Sequence, residues 1–278
     1  MDTVQEKIQT IQHIFRQVQE GYIETTSVTE LVQQAEKHEP EFRSIAYEAT
    51  SFCLALSDFK NHNQPESWFQ FLQLSSPHAT QIHVGLGWAM AQLQLNPLII
   101  LDKLTPMMRY RVLDGYGYYE GIFRKRKSIL SQQKPELNDR VGSSAYDQGL
   151  GRSLWYLYNG SIAEVKNLIA KFPAMRQADL WRGMGIAVTY AGGAKEVTLK
   201  FIFDESDEYK KQLAAGAIMA LVSRHFAAFI TDDAVAACNI WCGKSRDEAL
   251  NPNVPVLNSK NENAYADWVS NIEQAYET

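Results

Sequence analysis

The stretch Asp147-Gln148-Gly149-Leu150-Gly151-Arg152-Ser153-Leu154-Trp155-Tyr156-Leu157 sets two glycines two residues apart. It then runs on without proline or a turn signal until Asn159-Gly160. The same small-x-glycine element stands at Gly85-Leu86-Gly87, Gly115-Tyr116-Gly117, Gly183-Met184-Gly185 and Ala214-Ala215-Gly216, at intervals of 30 to 34 residues. Ala49-Thr50-Ser51 reads as an earlier, degenerate copy. Recurrence at such a period marks a helical repeat array.

Each copy leads into a helix-compatible run closed by a stop: Asn96-Pro97, Asn159-Gly160 or Gly192-Gly193. Glycine or asparagine just past a helix supplies the left-handed closing position, and proline suits the first turn of the next helix. Ser161-Ile162-Ala163-Glu164 and Ser27-Val28-Thr29-Glu30 have capping-box spacing, and Ile162, Val165, Leu168 and Ile169 follow at helical intervals. Glycine within a helix costs about 0.5–1 kcal/mol against alanine, so its repetition points to close backbone approach. Gly85/Ala89, Gly117/Gly121, Gly149/Ser153 and Gly183/Ala187 form small pairs at i,i+4, each a flat stripe for a neighbouring helix. The fold expected is all-α, an α-solenoid-like array of helical hairpins. A single α-helical domain spans 1–278, with a repeat core over about 41–243 and a C-terminal tail and helix over 244–278. Polar breaks fall at Lys60–Pro65 and between Arg124 and Arg140.

The chain has 278 residues, 45% hydrophobic and 21% charged, which excludes a disordered or collagen-like polymer. Its net charge of −5 argues against a nucleic-acid partner. Three cysteines, Cys53, Cys238 and Cys242, cannot all pair and point to a reducing compartment. The polar start shows no secretory signal, and no apolar run reaches the length of a membrane span. The expectation is a soluble, cytoplasmic protein.

Candidate chemistry is sparse. Cys238 and Cys242 share a helical face but lack further ligands, so no metal site is expected. His83 precedes the first glycine pair and reads either as a binding residue at the start of that helix or as a core histidine. The segment Leu113-Asp114-Gly115-Tyr116-Gly117-Tyr118-Tyr119-Glu120-Gly121 packs three glycines, three tyrosines and two acids into nine residues. Its helical, acidic setting excludes a phosphate loop. Asp114 and Glu120 could serve as general acid and base with Tyr116 or Tyr119 as donors; the plainer alternative is that Asp114 caps a helix and the tyrosines pack. Arg152 and Arg182, beside two of the glycine pairs, need carboxylate partners if buried, and Asp147 and Asp179 are the local candidates. The Arg124-Lys125-Arg126-Lys127 run reads as a solvated face, too short for a nucleic-acid or membrane patch. No nucleophile elbow, triad order or dinucleotide fingerprint is present, and the sequence leaves the cofactor open.

Four ordered motifs carry a resemblance: Val84-Gly85-Leu86-Gly87-Trp88-Ala89, Leu113-Asp114-Gly115-Tyr116-Gly117, Asp147–Trp155, and Gly183-Met184-Gly185-Ile186-Ala187-Val188-Thr189-Tyr190-Ala191-Gly192-Gly193. Over roughly residues 40 to 245 the chain resembles the bacterial family found in enediyne polyketide biosynthesis clusters, the enediyne biosynthesis E-three-type proteins. Where that family commonly carries a histidine, this chain has Tyr119. The resemblance implies a pathway setting, beside a synthase that makes a linear polyene, and no residue-level mechanism. Two functions follow as expectations. In one, the array binds an apolar, polyene-like small molecule and assists its modification. Asp114, Glu120, His83 and Tyr119 would then be catalytic, and Trp88, Tyr116, Arg152, Trp155, Arg182 and Tyr190 would hold the substrate. In the other, the array is a non-catalytic scaffold or maturation factor that grips a partner protein of the same pathway.

Overall fold

The computed structural model describes residues 3–276 apart from 63 and 138. Asn63, within the first polar break, and Asn138, within the second, therefore lie outside the described residues, as do Met1 and Asp2 of the polar start. Fifteen α-helices run through the described residues: α1 (Val4–Gly21), α2 (Val28–Glu36), α3 (Pro40–Asn61), α4 (Glu66–Leu74), α5 (Ala79–Leu93), α6 (Leu98–Leu101), α7 (Pro106–Phe123), α8 (Arg140–Leu157), α9 (Ile162–Ile169), α10 (Ala174–Ala191), α11 (Glu196–Glu205), α12 (Lys210–Phe226), α13 (Asp232–Cys242), α14 (Arg246–Leu250) and α15 (Ala264–Gln274). No strand occurs among the described residues. The fold is all-α.

The glycine elements lie in the middle of α5, α7, α8, α10 and α12, and each of these helices packs on the next, with α3 at the head of the series. Two residues along a helix turn the side chain by about 200°, so the two glycines of one element face opposite flanks. The first of each pair meets the preceding helix: Gly85 abuts Ser51 and the Glu48 carbonyl, Gly115 the Val84 backbone, Gly149 the Asp114 backbone and Gly183 the Gln148 backbone. The second meets the following helix: Gly87 abuts the Val112 carbonyl and Tyr116 N–H, Gly117 the Tyr146 carbonyl, Gly151 the Leu180 carbonyl and Gly185 the Leu213 carbonyl. At each, a methyl group would strike backbone, which cannot yield. The i,i+2 spacing thus encodes a helix clasped on both sides, a stronger statement than the single stripe inferred from the i,i+4 pairs. Ser51 sits against Gly85 as the second glycines sit against their successors, which places the degenerate copy in α3. Its hydroxyl donates to the Ile82 carbonyl at 2.5 Å and accepts from Trp68 Nε1 at 2.7 Å.

Along one pair of these helices, Asp114 lies opposite Gly149 and Gly121 opposite Ser153, so both chains ascend together and the helices run parallel. Between most of them a shorter helix makes the return: α4, α6, α9 and α11. Between α7 and α8 the return is instead a π-helical turn at Arg126–Leu130 followed by extended chain. The series winds round on itself. Arg224, near the end of α12, donates to the carbonyl of Glu41 at the start of α3 and to that of Tyr190 at 2.5 Å. End meets start, so the six inner helices make a superhelical turn.

The terminal helices cover this turn. α1 lies along α3, with Lys7 on Glu41 at 2.6 Å and the Phe15 ring 6.0 Å from Phe52. It also reaches the ends of α8 and α10, where Gln5 donates to the Asn159 carbonyl at 3.3 Å and Thr3 and Lys7 flank Gly193. Asn159 and Gly160 close α8 with φ of 48° and 81°, the left-handed stop anticipated there. On the opposite side α15 stacks Tyr265 on Tyr110 and sets Trp268 under Arg111. The capping box at Ser27 forms; at Ser161 no side-chain cap bond is made.

Candidate functional site

Inside the superhelical turn a chain of buried and half-buried polar side chains runs from α15 toward α1. Glu273 pairs with Arg182 Nη1 at 3.0 Å, and Arg182 Nε donates to Gln148 Oε1 at 2.8 Å. Gln148 Nε2 donates to Asp114 Oδ2 at 2.5 Å, and Asp114 Oδ1 takes the guanidinium of Arg152. The Arg152 guanidinium also lies over the Tyr118 ring, 4.7 Å from its centroid. Arg182 is further held by Asp179, as the sequence suggested, and by Ser144. The partner of Arg152 is a correction: it is Asp114, while Asp147 serves Arg176. Asp114 is equally not a helix cap, since it lies at the centre of α7.

Beyond Arg152 this chain opens into a cavity of about 400 Å³ between α1, α3, α5, α7, α8 and α10. Ile11 and Phe15 come from α1, Ile45 and Glu48 from α3, Trp88 from α5, Tyr118, Ile122 and Phe123 from α7, Arg152 and Tyr156 from α8, and Tyr190 from α10. The walls are aromatic and aliphatic. The polar groups, Glu48, Arg152 and three tyrosine hydroxyls, belong to the inner helices. Gln12, Arg16 and Gln19 on the exposed side of α1 edge the mouth.

Glu48 is the unexpected member. Its side chain is buried, yet among the described residues its carboxyl makes no ion pair and accepts no hydrogen bond. Burial, reinforced by the charge of Asp114 and opposed by that of Arg152, pushes it up to about 7. Burial alone would weaken the Arg152 guanidinium, but Asp114 and Glu48 more than offset this and hold it firmly charged. Burial also lifts Tyr118, Tyr156 and Tyr190, Tyr156 to about 12, so all three keep their protons. Two further donors in the wall, Trp88 Nε1 and Arg152 Nε, are buried without an acceptor. The site therefore offers a carboxyl that changes state near neutral pH, a fixed cation and unmet donors, all inside an apolar enclosure. That combination suits proton transfer to or from an oxygen function on an apolar molecule.

Of the residues singled out from sequence, Trp88, Arg152 and Tyr190 line the cavity and Asp114 stands behind Arg152. Tyr119 is half-buried against Trp88 and Phe123 beside the mouth. The remainder lie elsewhere. Glu120 accepts from Tyr146 at 2.7 Å and Lys127 at 2.8 Å. His83 is locked by Nδ1 to the Ala79 carbonyl at 2.7 Å and edge-on to Trp68, and burial pushes it down to about 4, so it is neutral. Tyr116 packs near Tyr146, Trp155 is wholly buried beneath Gly160, and Arg182 belongs to the far end of the polar chain. Glu48 carried a legible signal: it is the only charged residue between Ile45 and Leu56. Among the described residues no group of three or more His, Cys, Asp or Glu side chains is placed to hold a metal ion.

Fold and site together define a helical-repeat protein with a buried, polar-ended cavity at its centre. The chain belongs to the family described as "Protein of unknown function (DUF1702)", whose sequence profile matches residues 1–276. No curated protein and no solved structure matches it. No helix among the described residues is long and apolar enough to cross a membrane.

Proposed function

We propose that the central cavity binds a small, largely apolar molecule with an oxygen-bearing group directed at Glu48, Arg152 and Trp88, and that Glu48 exchanges a proton with that group. The observation that carries this reading is the unpartnered, buried Glu48 carboxyl facing an aromatic cavity beside an already neutralised arginine. With Glu48 protonated the Arg152–Asp114–Glu48 set is neutral, so a neutral carbonyl or hydroxyl is accommodated without leaving an unpaired buried charge. The resemblance to enediyne-cluster proteins narrows the molecule to a polyunsaturated chain made in the cytoplasm, which an aromatic wall would stack against. An acidic concave face without a deep pocket would have favoured the scaffold alternative; the cavity with converging polar groups supports the small-molecule reading.

Two measurements on freshly purified protein test this. Native mass spectrometry with an absorbance scan looks for a retained small molecule. Titration with parinaric acid, a conjugated polyene that fluoresces in apolar surroundings, looks for binding. Fluorescence should rise with wild-type protein and fall to background in Ile45→Trp, which fills the cavity, provided its circular dichroism and melting curve match wild type. Phe15→Trp is a second blocking variant should Ile45→Trp misfold. No retained molecule together with no parinaric acid response, or a response that both folded blocking variants leave intact, would refute the cavity reading.

A further inference from the structure

The cavity mouth is set in a basic, apolar rim. Between Gly121 and Pro135 the chain carries Arg124, Lys125, Arg126, Lys127 and Lys134 and no acidic residue, in a protein of net charge −5. α7 ends at Phe123, which lines the mouth while leaving 60% of its surface in solvent. The cations that follow are fixed on either side of it. Arg124 donates to the Gln92 carbonyl at the end of α5 at 3.2 Å, and Lys125 sits 4.8 Å above the Tyr158 ring just past α8. Across the mouth α1 presents Arg16. The buried Glu120 carboxylate is shared by Arg124 and Lys127 and Lys134 pairs with Asp147, whereas Arg16, Lys125 and Arg126 pair with no carboxylate among the described residues. Leu130, at the end of the π-helical turn, is a second exposed apolar side chain.

We infer that this rim docks on an anionic lipid bilayer, with the cavity mouth facing the membrane. The basic run alone is too short for a membrane patch, but the fold adds Arg16 from α1 and the exposed Phe123, and the combined cations and aromatic ring match a surface that is negative outside and apolar beneath. Phe123 packs against Tyr119 and Trp88 on one side and leaves the rest of its ring in solvent, an apolar edge that a bilayer interior would cover. The docking orients the mouth toward the medium in which apolar molecules partition. It stands or falls independently of what the cavity holds.

The test is vesicle flotation of the full chain with phosphatidylcholine alone and with phosphatidylcholine mixed with phosphatidylglycerol, each at low and high salt. Binding is expected only to the anionic vesicles and should be lost at high salt. Lys125→Ala/Arg126→Ala should weaken partitioning about thirtyfold, from about 1 kcal/mol per basic side chain near the surface. Phe123→Ala should weaken it further, while the remote Lys195→Ala/Lys200→Ala leaves it unchanged. Equal binding to both vesicle types, no binding at low salt, or equal losses in the rim and remote variants would overturn the proposal. So would binding to polyglutamate without binding to vesicles.

Discussion

Asp114 of α7 and Arg152 of α8 form a buried ion pair at the centre of the array, with side chains 0% and 8% exposed. Both carboxylate oxygens of Asp114 are engaged, one by Arg152 and the other by Gln148. Removing one partner of such a pair strands a buried charge, whereas removing both does not. Asp114→Ala should therefore lower stability by about 3–5 kcal/mol in urea denaturation. The double variant Asp114→Leu/Arg152→Met should lose clearly less than the sum of its single variants. A single variant as stable as wild type would show that the pair is not held as described.

The glycines make a separate prediction, because alanine normally favours a helix over glycine. Gly21, the last residue of α1, has open space where a methyl would go, so Gly21→Ala should be neutral or stabilise by up to about 1 kcal/mol. At Gly151 the same methyl would drive into the Leu180 carbonyl, and the neighbouring helix must move. Gly151→Ala should cost about 1–3 kcal/mol or more despite the better helix propensity. Thermal melts of the two variants side by side decide it. A Gly151→Ala protein that melts with or above wild type would mean that α8 and α10 are not in backbone contact.

The same glycines explain why the fold could be read from sequence and the site largely could not. Backbone-to-backbone packing tolerates few residue types, so its period survives in the chain as Gly85/Gly87, Gly115/Gly117, Gly149/Gly151 and Gly183/Gly185. The Arg182–Asp179 pair was legible because i,i+3 neighbours share a helical face. The partner of Arg152 was not. Asp147, five residues earlier, faces elsewhere, and the partner comes from the preceding helix, where only the three-dimensional register brings Asp114 alongside. Glu48 lies in the copy that has lost its glycines, so the motif that drew attention to the other helices was missing there. His83 shows the reverse: a prominent sequence position whose ring lies outside the cavity, with Nδ1 held by the carbonyl four residues back.

Glu48 gives the pH-dependent prediction. Its folded-state value is raised from 4.5 to about 7, chiefly by burial, whereas in the unfolded chain it titrates near the ordinary value. Between those two pH values the folded protein binds more protons at this site than the unfolded chain does. Stability must then fall as pH rises through the window and level off above about 7. His78 and His83 work in the opposite sense: burial pushes each down to about 4, so their contribution is lost as pH falls from 6.5 through that value. Those terms are common to wild type and a Glu48 variant and cancel in the difference. Glu48→Gln removes only the carboxyl titration. Relative to wild type, the variant should gain stability between pH 5 and pH 8, by at most about 3 kcal/mol. Urea denaturation of both proteins at the two pH values measures this difference. Identical pH slopes would mean that Glu48 is already ionised in the folded protein at pH 5. The cavity would then lack the proton donor that the proposed chemistry requires.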